Sequence, residues 1–132
     1  MHGVAKLIDR VKTKNAPQAI GAYSQGSVFK NLVFTSGQIA INPINGSLVT
    51  DDFSKEVEQV LENVKSVLES GGSNLDNIIK LTVFITDMEN FKFVNEVFET
   101  FFVNDYPARS VVEVSGLPLN VNIEVEAIGM KI

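Results

Sequence analysis

The run Pro107-Ala108-Arg109-Ser110-Val111-Val112-Glu113-Val114-Ser115-Gly116-Leu117-Pro118-Leu119-Asn120-Val121-Asn122-Ile123-Glu124-Val125-Glu126-Ala127-Ile128 decides how this chain is read. Val and Ile dominate its two ends, and Gly116 with Pro118 between them is turn chemistry, so it predicts two β-strands joined by a turn. Along residues 122–128 polar and apolar side chains alternate. Asn122, Glu124 and Glu126 therefore share one face, and Ile123, Val125 and Ala127 the other. Arg109 and Val111 share a face of the first strand in the same way. If the two strands are neighbours, the Arg109 guanidinium and the Glu124 carboxylate line one depression on the sheet. The common reading of such a pair is a cross-strand ion pair of little energetic weight. The other is a small-acid site, in which the rigid fork of an arginine matches a substrate carboxylate and a glutamate handles a proton or a water. Spacing leaves both open.

Upstream, Ala5–Val11 reads as a first strand and Asn15–Gly21 as a loop holding Pro17. Tyr23–Lys30 and Asn31–Ser36 read as two strands that turn at Lys30-Asn31. Gly37 breaks the second and leaves backbone open to a close approach. Asn42-Pro43-Ile44-Asn45-Gly46 is a turn. Val57, Val60, Leu61, Val64, Val67 and Leu68 recur at helical spacing, with Asp52 or Ser54 as cap and Gly71-Gly72 as stop. Ile78–Ile85 is nearly continuous in apolar residues, which predicts a central strand covered on both faces. Asp87 or Asn90 caps a second helix to about Phe102, whose Phe91, Val94, Phe98, Phe101 and Phe102 are core material. The order β-β-β-α-β-α-β-β predicts an α+β fold, a single mixed sheet backed by two helices and filling one domain over residues 1–132. The second sheet face is left bare, and copies of the chain are the expected cover.

Composition narrows the chemistry. Eleven basic against sixteen acidic residues give a net charge of −5, and there is no cysteine and one histidine, His2. The acidic balance without a basic run argues against nucleic acid as the main partner. The missing cysteines exclude disulfides, thiolate catalysis and Cys-based metal sites, and a lone terminal histidine supports neither a metal centre nor a Ser-His-Asp triad. Glu113, Glu124 and Glu126 together suggest a carboxylate-pair hydrolase or a hard-cation site, but neither sugar-stacking aromatics nor a calcium-type loop accompanies them. No stretch has the apolar length of a transmembrane helix and no secretory signal is visible, so a cytoplasmic protein with no membrane partner is expected, a mitochondrial location being left open.

Several motifs resemble the RidA (YjgF) family over nearly the whole chain. They are Asn15-Ala16-Pro17, Ile20-Gly21, Tyr23-Ser24-Gln25-Gly26, Thr35-Ser36-Gly37-Gln38-Ile39, Asn63-Val64-Lys65, Val83–Asp87, Val94-Asn95, Pro107-Ala108-Arg109-Ser110, Leu117-Pro118 and Ile123–Ile128. The resemblance implies a chorismate-mutase-like homotrimer with sites in the clefts between subunits. It implies an enamine/imine deaminase that hydrolyses 2-aminoacrylate and related 2-imino acids to 2-oxo acids and ammonia. No metal and no cofactor is implied, because the imine is already electrophilic. Carried across position by position, Arg109 anchors the substrate carboxylate, Glu124 positions water or handles protons, and Tyr23 donates its hydroxyl. Ser36, Gly37, Asn95 and Val111 complete the pocket. A carboxylate beside Arg109 is expected to stay ionised. Many relatives carry Cys where this chain has Val111. Valine is neither nucleophile nor oxidation switch, so a redox-dependent chaperone role does not carry over and the pocket shape changes. The second reading is a noncatalytic module in which the same Arg109 pocket holds a small carboxylate and the trimer regulates or chaperones partners. The third, implied by some relatives, is an endoribonuclease or translation inhibitor, which suits an acidic chain poorly.

Overall fold

The computed structural model describes residues 6–132, with Met1–Ala5 outside the described part, so His2 and the expected strand start at Ala5 lie outside it. The first described strand, β1, is Ile8–Val11. It opens an antiparallel meander with β2 (Gly26–Phe29) and β3 (Leu32–Thr35), and Lys30, at φ 53°, turns the β2–β3 hairpin. The expected strands around these two were longer. Tyr23 and Ser36 fall just outside them, because Gln25 draws the preceding loop inward. Its buried side chain donates to the carbonyls of Thr13, Ala16 and Pro17 and accepts from the Thr13 amide.

Helix α1 (Phe53–Ser70) starts where Asp52 accepts from the Lys55 amide at 3.1 Å, one of the donors a helix start leaves open. It stops at Gly71-Gly72, and Gly72, at φ +93°, takes a backbone conformation that side chains resist. Val57, Val60, Leu61, Val64, Val67 and Leu68 are fully buried, each contributing about 1.5–3 kcal/mol of apolar burial. Strand β4 (Ile78–Ile85), helix α2 (Phe91–Phe101), strand β5 (Ala108–Glu113) and strand β6 (Ile123–Met130) follow, with short 3-10 turns before β4, α2 and β6.

The α+β architecture is as expected: one mixed six-stranded sheet, in the order β1-β2-β3-β6-β4-β5, with α1 and α2 on one face. The adjacency imagined for the last two strands is not. β6 inserts between β3 and β4, antiparallel to both, while β5 pairs parallel to β4 after the α2 crossover. A strand that leaves and returns through a helix lands parallel, so β4 stands between the strands of Arg109 and Glu124. Nor is β4 covered on both faces. Leu81, Val83 and Ile85 are buried under the helices, whereas Lys80, Thr82 and Phe84 point to the bare side, alternating with them. That bare side also carries Phe34 and Val112, which are 38% and 42% exposed. No helix among the described residues is long and apolar enough to cross a membrane.

Candidate active site

One cluster of the sequence-predicted residues gathers where β3 breaks against β6. β3 pairs with β6 as far as Phe34↔Ile128, and pairing resumes one residue out of step at Gln38↔Val125. The irregular stretch between them holds Ser36 and Gly37. Gly37 lies against Glu124 so closely that a Cβ there would stand 2.5 Å from Glu124 Oε2. Ser36 donates its hydroxyl to the Ser24 carbonyl, and the Tyr23 hydroxyl accepts from the Ile20 amide at 3.2 Å. Tyr23, Ser36, Gly37 and Glu124 thus line one concavity of about 320 Å³, with Ile20 and Pro118 as its apolar walls. Glu124 is half-buried there. Burial, and then the charge of Glu126, hold its carboxyl above the ordinary carboxylate range.

The other cluster gathers under α2. Arg109 Nη2 donates to Asn95 Oδ1 at 2.8 Å. Its guanidinium carbon lies 5.0 Å from the Phe98 ring centre and 5.5 Å from that of Phe91, both within cation–π range. The guanidinium opens into a cavity of about 420 Å³, lined also by Glu99, Tyr106 and Pro107. Burial pulls its pKa below the ordinary arginine value, which leaves it a cation with donors still unspent beyond Asn95. Val111, two residues on, shares the helix-side face and packs half-buried against the core.

The two clusters do not meet in one chain. Arg109 aligns with Leu81 and faces the helices, and Glu124 aligns with Phe84 and faces the bare side. The single depression expected for Arg109 and Glu124 is therefore absent, as is the cross-strand ion pair. With Arg109 on the far face, no guanidinium stands beside Glu124 to favour its ionised form, and its own surroundings raise its pKa instead. The carboxylate trio is likewise split. Glu113 stands on the helix-side face and accepts from the Met88 amide at 2.7 Å, away from Glu124 and Glu126.

A family model described as Endoribonuclease L-PSP matches residues 13–131, and a 2-iminobutanoate/2-iminopropanoate deaminase of Salmonella typhimurium is 45% identical over 124 residues, spanning 92% of this chain and 96% of the relative. The chain belongs to the RidA family. Other similar RidA-family proteins bear other names. A protein named as a regulator, AldR of Lactococcus lactis, is 43% identical over 118 residues, spanning 89% of this chain and 94% of its own length. The crystal structure of Escherichia coli TdcF with bound serine superposes with a TM-score of 0.90 at 42% identity, covering 94% of this chain and 99% of that one.

Within this RidA fold the residue that sequence reading passed over is Glu56. It is fully buried in the first turn of α1, where its carboxylate accepts from the backbone and side-chain nitrogens of Asn122 at 2.8 and 2.7 Å. Two residues further on stands Glu124, so this buried contact fixes the start of its strand. The signal was in the spacing: Glu56 precedes Val60 by four and Asn63 by seven, which puts it on the buried stripe of α1. Asn63, on that same stripe, donates to the Ile39 and Ile41 carbonyls and holds the segment that follows Gly37. Among the described residues no group of three or more His, Cys, Asp or Glu side chains could hold a metal ion.

Proposed function

We propose that the protein hydrolyses small 2-imino acids and their enamine tautomers to 2-oxo acids and ammonia, in a homotrimer whose sites form between subunits. The observation that carries this reading is the position of the two charges. Arg109 and Glu124 each line a concave site, yet on opposite faces of the sheet, so one copy offers an anchor and another a base. The bare face, with Phe34 and Val112 exposed, supports packing against copies. The deaminase name of a relative 45% identical supports the substrate class, and the serine in TdcF supports a small carboxylate as ligand.

In this reading Arg109 binds the substrate carboxylate through paired charge-assisted hydrogen bonds, held in orientation by Asn95 and by the rings of Phe91 and Phe98. Glu124 takes a proton from water as the oxygen adds to the carbon of the protonated imine, and returns it to the amine. As the C–N bond breaks, the carbinol hydroxyl gives up its proton, which Glu124 passes to the leaving ammonia. One water is consumed, and a 2-oxo acid and an ammonium ion leave. A carboxyl raised above its ordinary value is a stronger base toward water than a free one, which suits the first transfer. Tyr23 and Ser36 with Gly37 form the rim that holds water and substrate, while Val111 stands two residues beyond Arg109 on the same face of its strand and outside the lining of either cavity. No residue forms a covalent intermediate, so valine at 111 is no obstacle.

The test is release of 2-oxo acid or ammonia from imine made in situ by a threonine dehydratase. Wild type should accelerate release, and Arg109→Ala and Glu124→Ala should not, with assembly of each variant checked by light scattering. A folded wild type without effect refutes the deaminase. The AldR name favours one second reading, a regulator that binds a small carboxylate without turning it over. There Glu124→Ala changes ligand retention alone. An endoribonuclease fits a chain of net charge −5 poorly.

A further inference from the structure

The Arg109 cavity carries a second charge that the mechanism above does not use. Asn95 and Glu99 are four residues apart on α2, which sets them one turn apart on the same helix face. Both line the cavity with Arg109, and Arg109 donates to the neutral Asn95 oxygen at 2.8 Å rather than to the Glu99 carboxylate. A cation and an anion therefore face one concavity of about 420 Å³, with the cation's side-chain hydrogen bond made to Asn95. Burial lowers the Arg109 pKa.

A small acid with a charged nitrogen on carbon 2 presents the complementary pair, a carboxylate and a cationic N–H group two bonds away. We propose that Glu99 is the specificity residue that reads the charge on that nitrogen, so that the cavity prefers 2-iminium and 2-amino acids to 2-oxo acids of the same skeleton. The inference rests on the reading of Arg109 as carboxylate anchor. Its chemistry is simple: Glu99 accepts from the cationic nitrogen of the substrate, but against the ketone oxygen of the product it is one acceptor facing another. Hydrolysis replaces the favoured group by the disfavoured one, which speeds product departure from a site that keeps its grip on the shared carboxylate. For a regulator, the same residue distinguishes an amino acid from its oxo acid.

The experiment is calorimetric titration of the full chain with 2-aminobutanoate and with 2-oxobutanoate, for wild type, Glu99→Gln, Glu99→Asp and Arg109→Ala. Glu99 is exposed on α2 and its glutamine variant keeps the shape, so folding is not at stake. Loss of the charge should weaken 2-aminobutanoate by about tenfold and change 2-oxobutanoate by no more than about twofold. Glu99→Asp should retain part of the preference, and Arg109→Ala should weaken both ligands. Equal effects of Glu99→Gln on the two ligands, no effect on either, or a wild type that binds neither overturns the proposal. Titration needs no turnover. An intact preference in a protein that hydrolyses no imine removes the deaminase reading alone, and a working deaminase without the preference removes this one.

Discussion

Arg109 and Glu124 sit on opposite faces of one sheet, Arg109 level with Leu81 and Glu124 level with Phe84 on the strand between them. Side chains alternate along a strand, so an odd offset of three residues along β4 is enough to separate them. No rotamer change brings a guanidinium through the sheet. Any reaction that needs both groups on one substrate needs two copies of the chain.

That separation makes the two variants complementary. Arg109→Ala and Glu124→Ala should each be inactive alone. Unfolded together in equal amounts and refolded, they should recover activity. If the copies assemble as the proposed trimer, roughly three-quarters of random trimers are mixed and each mixed one regains one of its three sites, for about a quarter of wild-type activity. Recovery of nothing from well-assembled mixtures means that each copy works with its own pair, or that neither residue takes part.

Gly37→Ala should separate catalysis from stability. The added Cβ falls 2.5 Å from Glu124 Oε2, 2.8 Å from its Cδ and 3.0 Å from its Cγ, so the carboxylate must move out of its place. The end of a flexible side chain can do so without disturbing the core. We expect kcat to fall by at least about tenfold, since misplacing a catalytic group by an ångström is costly, while Tm changes little. A variant with full kcat would show that the contact between Gly37 and Glu124 is incidental.

How much of this was legible follows from where local pattern and tertiary pairing agree. The α1 stripe and its Asp52 cap could be read because both signals are local and point the same way. The β4 misreading came from Phe84, an apolar side chain on the side of Lys80 and Thr82, and from Ile79, exposed where the register with β6 shifts between Ile78 and Lys80. Together they hide the alternation. The pairing of β5 was hidden more deeply. Gly116 and Pro118 mark a turn, and a turn between two strands suggests a hairpin, but the α2 crossover had already committed β5 to lie parallel with β4. The site residues were recognisable as motifs one by one. Their division between two faces depends on strand order, which no motif records.

Glu56→Ala should be the most damaging single truncation outside the apolar core. It removes a carboxylate that accepts two hydrogen bonds from Asn122, and strands both donors where the partner was fully buried. Losing a charged partner of this kind costs about 2–4 kcal/mol, readable as a lower urea midpoint at unchanged slope. Glu56→Gln keeps one acceptor and should lose less. If the alanine variant unfolds at the wild-type midpoint, Asn122 is held by its β6 neighbours and not by the helix.

Glu126 should tune the acid limb of the reaction. Glu124 is held above the ordinary 4.5 first by burial and second by the charge of Glu126. If Glu124 must be ionised to take a proton from water, kcat/KM should fall on the acid side with a midpoint above 4.5. Glu126→Gln removes the repelling charge, so ionisation of Glu124 becomes easier and the limb moves to lower pH. Glu124→Gln should abolish the limb together with the activity. Stability follows the same sign. A carboxyl whose pKa rises on folding holds its proton more tightly in the native state, so its contribution is complete below 4.5 and is lost as pH rises through the raised value. Glu126→Gln should therefore soften that loss in a thermal melt series while it shifts the rate profile downward. A limb that stays fixed when Glu126 is neutralised would assign the titration to some other group, and Glu124 would then be a binder of water rather than its base.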